Sequence, residues 1–335
     1  MGAEICVQGL TKSFGEDVVW QDVTFTLPAG EISVLLGPSG TGKSVFLKTL
    51  VGLLRPDAGS VQVAGTDITR LREHQLYEVR KRFGVLFQDG ALFGSMNLYD
   101  NIAFPLREHT RRSESQIRRA VMEKMEMVGL VGAERKLPGQ ISGGMRKRAG
   151  LARALMLDPE IVLFDEPDSG LDPVRVTFLN QLIVDLNAQT GATFLVVTHD
   201  IASARALPDN IGLLFNRRLV VFGSRDEVFD SDEPVVRQFL GGRMQGPIGM
   251  AEEKDAATVE SELASLAAAE AEAEAGVVAG IGPNTPVAGR SWAPRMLPGP
   301  GVERPERWQL IARLQDEEAR GRRNGSAAVG PEASR

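Results

Sequence analysis

Ile32-Ser33-Val34-Leu35-Leu36-Gly37-Pro38-Ser39-Gly40-Thr41-Gly42-Lys43-Ser44 is the stretch whose reading decides the fold. A short, mostly apolar run (Ile32 to Leu36) reads as a buried strand, and Lys43 to Leu54 reads as a helix. Between them, Gly37 to Ser44 matches GxxxxGK(S/T), the phosphate-binding loop in the strand–loop–helix setting that it requires. The glycines let successive backbone N–H groups turn inward as an anion nest, and the helix N-terminus adds its dipole. Lys43 then suits the β and γ phosphates of a nucleotide, and Ser44 suits Mg²⁺. Gly37, Pro38, Ser39, Gly40, Thr41, Gly42, Lys43 and Ser44 form the first candidate site.

Working outward, apolar runs rich in β-branched residues recur at Ile5 to Leu10, Val18 to Leu27, Val61 to Val63, Phe83 to Phe87, Ile161 to Phe164, Thr193 to Thr198, Ile211 to Phe215 and Leu219 to Phe222. Several are apolar throughout, as in a sheet covered on both faces, and helical stretches such as Pro173 to Gln189 separate them. The expected class is α/β. The early strands follow one another with little helix between, which predicts an antiparallel β portion. From about 90 to 155 a helical insertion is expected, marked by Ile117, Val121, Met125 and Val128 at helical spacing. Ile161-Val162-Leu163-Phe164-Asp165-Glu166 is a strand ending in two carboxylates, placed at the sheet edge where such folds bind ligands. Asp165 suits a metal-bound water network, and Glu166 suits polarisation of an attacking water.

Ile141-Ser142-Gly143-Gly144-Met145, followed by Arg146-Lys147-Arg148 and a helical run, supplies a second anion site at a helix N-terminus. With this third element in place, the chain from Glu4 to about Gly242 resembles the ATP-binding cassette (ABC) ATPases, whose signature is LSGGQ. The resemblance implies a RecA-like phosphate-loop core with an antiparallel β portion and a helical subdomain, and it implies ATP and Mg²⁺ as cofactors. It assigns Gln88 to the Q-loop, reaching Mg²⁺, Asp172 to the D-loop, and His199 to the switch that senses the γ-phosphate. Ser142, Gly143 and Gly144 become nucleotide contacts of the signature. Phe14 stands where the family places an aromatic against adenine, although an aromatic beside an N-terminal strand is also a common core residue. The family pattern further implies a homodimer, because the signature of one copy completes the phosphate site of the other, and coupling to an integral-membrane permease.

Met145 stands where most members carry Gln, and Ile141 where most carry Leu. SGGM before basic residues, Val45-Phe46-Leu47 after the phosphate loop, Phe87-Gln88-Asp89-Gly90-Ala91-Leu92-Phe93, and the stretch from Val236 to Leu240 resemble the Mla and Mce lipid-transport branch, above all its actinobacterial members. That branch implies lipid transport across the envelope, a YrbE-type permease, and Mce substrate-binding proteins as indirect partners. The permease contact is expected at Leu92, Phe93, Met96, Leu98 and Phe104, residues that could equally pack the helical subdomain. A cassette for a polar solute is the alternative, and a non-transport ABC ATPase is a further one.

Composition agrees with this reading. Thirty-eight basic and 44 acidic residues leave a net charge of −6, which argues against a dedicated nucleic-acid binder. One cysteine and three histidines exclude a disulfide framework and a zinc cage of Cys and His. No apolar run is long enough to span a bilayer, so a peripheral position on the cytoplasmic face of the membrane is expected, with the membrane span supplied by partners. The cassette is expected over residues 1–245 and a low-complexity extension over 246–335. In that extension Val259, Leu263 and Leu266, and then Trp308, Ile311 and Leu314, form thin stripes at helical spacing. Such stripes fit either transient helices of a disordered tail or docking helices.

Overall fold

The computed structural model describes residues 2–249 and, beyond them, residues 264, 295–299, 302, 306, 308, 309, 312 and 313. The chain runs through β1 (Ile5–Phe14), β2 (Asp17–Leu27), β3 (Ile32–Leu36), α1 (Lys43–Leu50), β4 (Ala58–Val63), β5 (Thr66–Asp67), α2 (Glu73–Arg80), β6 (Phe83–Leu86), α3 (Leu98–His109) and α4 (Glu114–Met127). It continues through α5 (Gly143–Ala154), β7 (Ile161–Asp165), α6 (Pro173–Thr190), β8 (Thr193–Val197), α7 (Ile201–Ala206), β9 (Asn210–Phe215), β10 (Arg218–Ser224), α8 (Arg225–Phe229) and α9 (Pro234–Gly241).

Two sheets result. The antiparallel one has the order β2-β1-β4-β5, and the other has the order β10-β9-β3-β8-β7-β6. In the second sheet β9, β3, β8, β7 and β6 run parallel, and β10 closes the edge antiparallel to β9. β3 and β8 are buried along their whole length, as expected of strands covered on both faces. Parallel alignment places the carboxyl ends of β3, β6, β7 and β8 on one edge. The chain leaves that edge at Gly37, Phe87, Glu166 and Thr198, so four of the motifs read from the sequence meet there.

Three apolar clusters hold the layers. Trp20, Phe25 and Phe46 fill the space between the two sheets with edge-on and stacked rings. Phe164, Phe194, Ile183 and Leu186 pack α6 under the parallel sheet. Leu98, Ile102, Val121 and Met125 form a separate helical core, in which the expected spacing of Ile117, Val121, Met125 and Val128 is buried in full. α5 and the turn after it belong to two of these clusters, with Leu151 and then Leu155 in the central core and Ala149, Ala152 and then Met156 in the helical one.

Two local expectations change. The first helix ends at Leu50 rather than Leu54, because Gly52 turns left-handed (φ 69°) and the N–H groups of Leu53 and Leu54 fold back to the carbonyl of Lys48. Leu98, expected in a permease groove, is fully buried in the helical core.

The carboxy-terminal segment packs against the cassette. Met296 N–H donates to the carbonyl of Ala206 (3.0 Å), Gln181 Nε2 to the carbonyl of Leu297 (2.7 Å), and Gly299 N–H to Asp185 Oδ1 (2.7 Å). Trp308 is 1% exposed within the central core, with the Arg295 guanidinium 4.6 Å above its ring. Val259, Leu263, Leu266, Ile311 and Leu314 lie outside the described residues. No helix among the described residues is long and apolar enough to cross a membrane.

Candidate active site

Gly42 caps α1 with φ 82°, and a Cβ there would lie 2.1 Å from Val19 Cγ1, so glycine is required on both counts. The loop is pressed against β2, where Trp20 Nε1 donates to the carbonyl of Gly42 at 3.4 Å. The Lys43 side chain is buried and donates to the carbonyls of Gly37 and Pro38, both at 2.8 Å. Burial lowers its pKa, while Glu166 and Asp165 raise it. The ammonium therefore lies under the loop that would cradle phosphates, hydrogen-bonded to neutral carbonyls that a phosphate oxyanion can displace.

Ser44 Oγ donates to Asp165 Oδ1 at 2.8 Å, so the hydroxyl of the phosphate loop and the first strand-end carboxylate are in contact. Burial raises the pKa of Asp165. Two hard oxygens in a half-buried setting fit a Mg²⁺ ion that also binds phosphate. Glu166 follows with φ 46°, an unfavourable conformation for a residue with a side chain, and its N–H donates to the carbonyl of Val197 at 2.9 Å. His199 Nδ1 lies 3.4 Å from Glu166 Oε1, which brings the two expected catalytic groups together. The histidine's loop is fixed from behind: Thr198 Oγ1 donates to the buried Asp168 carboxylate at 2.7 and 2.8 Å and accepts from Asp200 N–H at 2.9 Å.

Ser142 caps α5 by accepting from Met145 N–H at 3.3 Å, while the Met145 side chain packs on the helical core. The thioether thus faces apolar contacts, and the N–H groups of Gly143 and Gly144, ahead of the capped Met145, have no intrahelical acceptor. Asp172 caps α6 through Arg175 N–H (3.0 Å) and lies in the loop that also contains Ser169 and Gly170. Gln88 Nε2 donates to Ser169 Oγ at 3.1 Å, so in this arrangement its side chain is tied to the D-loop. Phe14, at the hairpin end of β1, is 49% exposed, with Lys12 Nζ 5.2 Å from its ring centroid; this ring is a surface platform and not part of the core.

Three contributors were not found from sequence. Asn101 is fully buried, takes Phe93 N–H on its Oδ1 (2.8 Å) and donates to the carbonyls of Phe93, Met96 and Asn97, which fixes the loop carrying Phe93. A polar residue on the apolar face of a predicted helix was the available signal. Arg153 donates to the carbonyls of Gly90 and Ala91, and Lys147 to those of the segment after Glu166. A cation on a helix is ordinarily solvated, so neither residue carries a local signal in the sequence.

Beside the Q-loop, a cavity of about 360 Å³ opens between α2, β6 and α3, lined by Tyr77, Lys81, Phe87, Pro105, His109 and Arg153. Phe93 and Phe104 pair at 5.0 Å nearby, whereas Leu92 packs on the helical core beside the buried Leu98.

A protein-family model described as ABC transporter matches residues 20–169. The chain is 68% identical over 266 residues to a Mycobacterium tuberculosis (strain ATCC 25618 / H37Rv) protein named a probable ribonucleotide transport ATP-binding protein, mkl, covering 79% of this chain and 74% of that one. It is 41% identical over 234 residues to the Escherichia coli (strain K12) intermembrane phospholipid transport system ATP-binding protein MlaF, covering 70% of this chain and 87% of that one. Among solved structures, the dimeric post-hydrolysis state of the ATP-binding cassette MJ0796, bound to ADP and Pi, superposes with a TM-score of 0.61 at 30% identity, covering 66% of this chain and 98% of that one. With its phosphate loop, strand-end carboxylates and signature helix joined in one fold, the chain belongs to the ATP-binding subunits of ABC transporters and is an ATPase.

Proposed function

We propose that this ATPase drives lipid transport across the cell envelope, peripherally bound at the cytoplasmic face of the membrane to a YrbE-type permease, with Mce proteins as indirect partners. The observation that carries the lipid reading is the 41% identity to the phospholipid-transport protein MlaF over 87% of that protein's length. It agrees with the SGGM signature and the Phe87 to Phe93 segment, which resemble the same branch. The permease contact expected at Leu92, Phe93, Met96, Leu98 and Phe104 is narrowed to the paired rings of Phe93 and Phe104, with the cavity lined by Phe87, Pro105 and His109 as a further candidate surface.

Two copies face each other with ATP between them. In each, the phosphate loop and Lys43 hold the β and γ phosphates, and Phe14 stacks on the adenine. The signature Ser142, Gly143 and Gly144 of the opposite copy closes over the γ-phosphate, beside Asp172. Ser44 and Asp165 would hold Mg²⁺, which offsets phosphate charge, and Gln88 would join them on leaving Ser169. Glu166 orients and polarises the attacking water, and His199 beside it senses the γ-phosphate. ATP favours the closed pair and hydrolysis releases it, so each cycle shifts the permease between states.

The printed name of the mycobacterial relative favours a second reading, transport of a polar solute, ribonucleotide among them. Affinity purification from native membranes, with protein partners and bound small molecules identified together, separates the two. Lipid and an integral permease support the proposal; a permease carrying nucleotides or other polar solutes instead overturns it.

A further inference from the structure

Lys147 lies five residues past Ser142 on the signature helix, about 7 Å along its axis at roughly 1.5 Å per residue. It is 4% exposed. Its ammonium has three N–H donors, and three main-chain carbonyls meet it: Pro167 at 2.7 Å, Glu166 at 3.4 Å, and Ser169 in a close contact. All three belong to the segment that leads from the water-polarising carboxylate to the D-loop. Burial lowers the lysine's pKa, and Asp168, Asp89 and Glu166 raise it again.

These contacts fix Glu166 from two sides. Its N–H donates to the carbonyl of Val197 on β8, and its own carbonyl accepts from Ser169 N–H at 3.2 Å and from Lys147 on α5 at 3.4 Å. With φ at 46°, the residue depends on such contacts for its orientation, and Lys147 also holds the Pro167 and Ser169 carbonyls that shape the same turn. Ser169 also accepts from Gln88 on its hydroxyl, so the same clamp reaches the Q-loop.

We infer that Lys147 is a positioning residue for hydrolysis, tying the signature sequence that reads one nucleotide to the carboxylate that acts on the other. The inference rests on the composite site proposed above, in which Ser142 to Gly144 meet the partner copy's ATP while Glu166 serves its own. α5 is packed between two apolar cores, so on this inference a shift at its N-terminus is passed along the helix to Lys147 and its three carbonyls. Nucleotide under one signature thereby sets the carboxylate of the other site, and the two hydrolysis events become positively cooperative.

The test is ATPase rate against ATP concentration for the full-length chain and its Lys147→Met and Lys147→Arg variants. The wild type shows a Hill coefficient above one. Lys147→Met loses about tenfold or more in kcat, its Hill coefficient falls to one, and affinity for a fluorescent ATP analogue stays within about twofold, since Lys43 is untouched. Lys147→Arg keeps charge and donors and restores most of both quantities. Unchanged kcat and cooperativity in Lys147→Met, a wild-type Hill coefficient of one, or no recovery in Lys147→Arg overturns the inference. If Lys147→Met does not fold, Lys147→Gln, with two donors on a shorter arm, is read by the same outcomes. ATP-driven dimerisation of Glu166→Gln separates the two layers. No dimer there removes the composite site; a dimer together with full cooperativity in the Lys147 variant removes this inference alone.

Discussion

At the scale of single residues, the chemistry depends on where Glu166 and Lys43 are held. Glu166 occupies the left-handed region at a cost of about 1–3 kcal/mol, which is offset by its amide donating to β8 and its carbonyl accepting from Ser169 N–H and Lys147. Glu166→Gln keeps shape and hydrogen bonding but removes the charge proposed to polarise water. Turnover is expected to fall by about 10²–10⁴-fold while ATP binding persists and a nucleotide-clamped dimer accumulates, read by phosphate release and size exclusion. Turnover at the wild-type rate would remove Glu166 from the chemistry. Lys43→Ala, by contrast, is expected to lose nucleotide binding itself, because the anion nest keeps its N–H groups but loses its only full positive charge from the loop. These positions were legible in the sequence because each motif is a local backbone device at the end of a strand. Lys147 and Arg153 were not: a cation on a helix is normally solvated, and only the packing of α5 against two loops shows that these two bind carbonyls.

Among the elements, α5 decides how the helical subdomain meets the catalytic edge. It approaches the Q-loop so closely that a Cβ on Gly150 would lie 2.9 Å from the carbonyl oxygen of Gly90 and from Leu86 Cδ1. Gly150→Ala is therefore expected to destabilise the protein by about 1–3 kcal/mol through overpacking, although alanine is intrinsically the better helix former. Urea unfolding measures this; a stabilised variant would show that the contact is looser in solution. Periodicity placed the strands and the stripe from Ile117 to Val128 correctly. It could not assign Leu98, since an apolar residue at a helix start suits a groove and a core equally. Burial in the helical cluster resolves that ambiguity, and exposure of Phe87 and Phe93 marks the surface side.

At the scale of the whole molecule, the carboxy-terminal segment adds to the core of the cassette through contacts that span 86 to 116 residues. Arg295 pairs with Asp209, whose other carboxylate oxygen accepts from Ile32 N–H at 2.8 Å, so the segment bears on the first residue of the strand that carries the phosphate loop. Trp308→Ala is expected to cost about 3 kcal/mol, and removing residues 295–335 should lower the unfolding midpoint likewise. An unchanged midpoint in both would show that the tail contributes nothing to the folded cassette. Reading the tail by composition understates it, because one tryptophan in a low-complexity stretch has little weight in a window average yet fills a core site on its own.

The sequence by itself determined the α/β class, the strand that ends in the phosphate loop, the Asp165-Glu166 pair and the SGGM stretch at a helix start. Each is a short run whose backbone preferences and hydrogen-bonding groups are local, so order along the chain suffices to recognise it. Only the tertiary structure decided that Trp20 backs the phosphate loop, that Asn101 sets the Phe93 loop, that Trp308 enters the core, and that Lys147 grips the segment after Glu166. Those contacts join residues 8 to more than 100 positions apart. Their energy comes from burial and from carbonyls that need a donor once water is excluded, and no local pattern records which donor arrives.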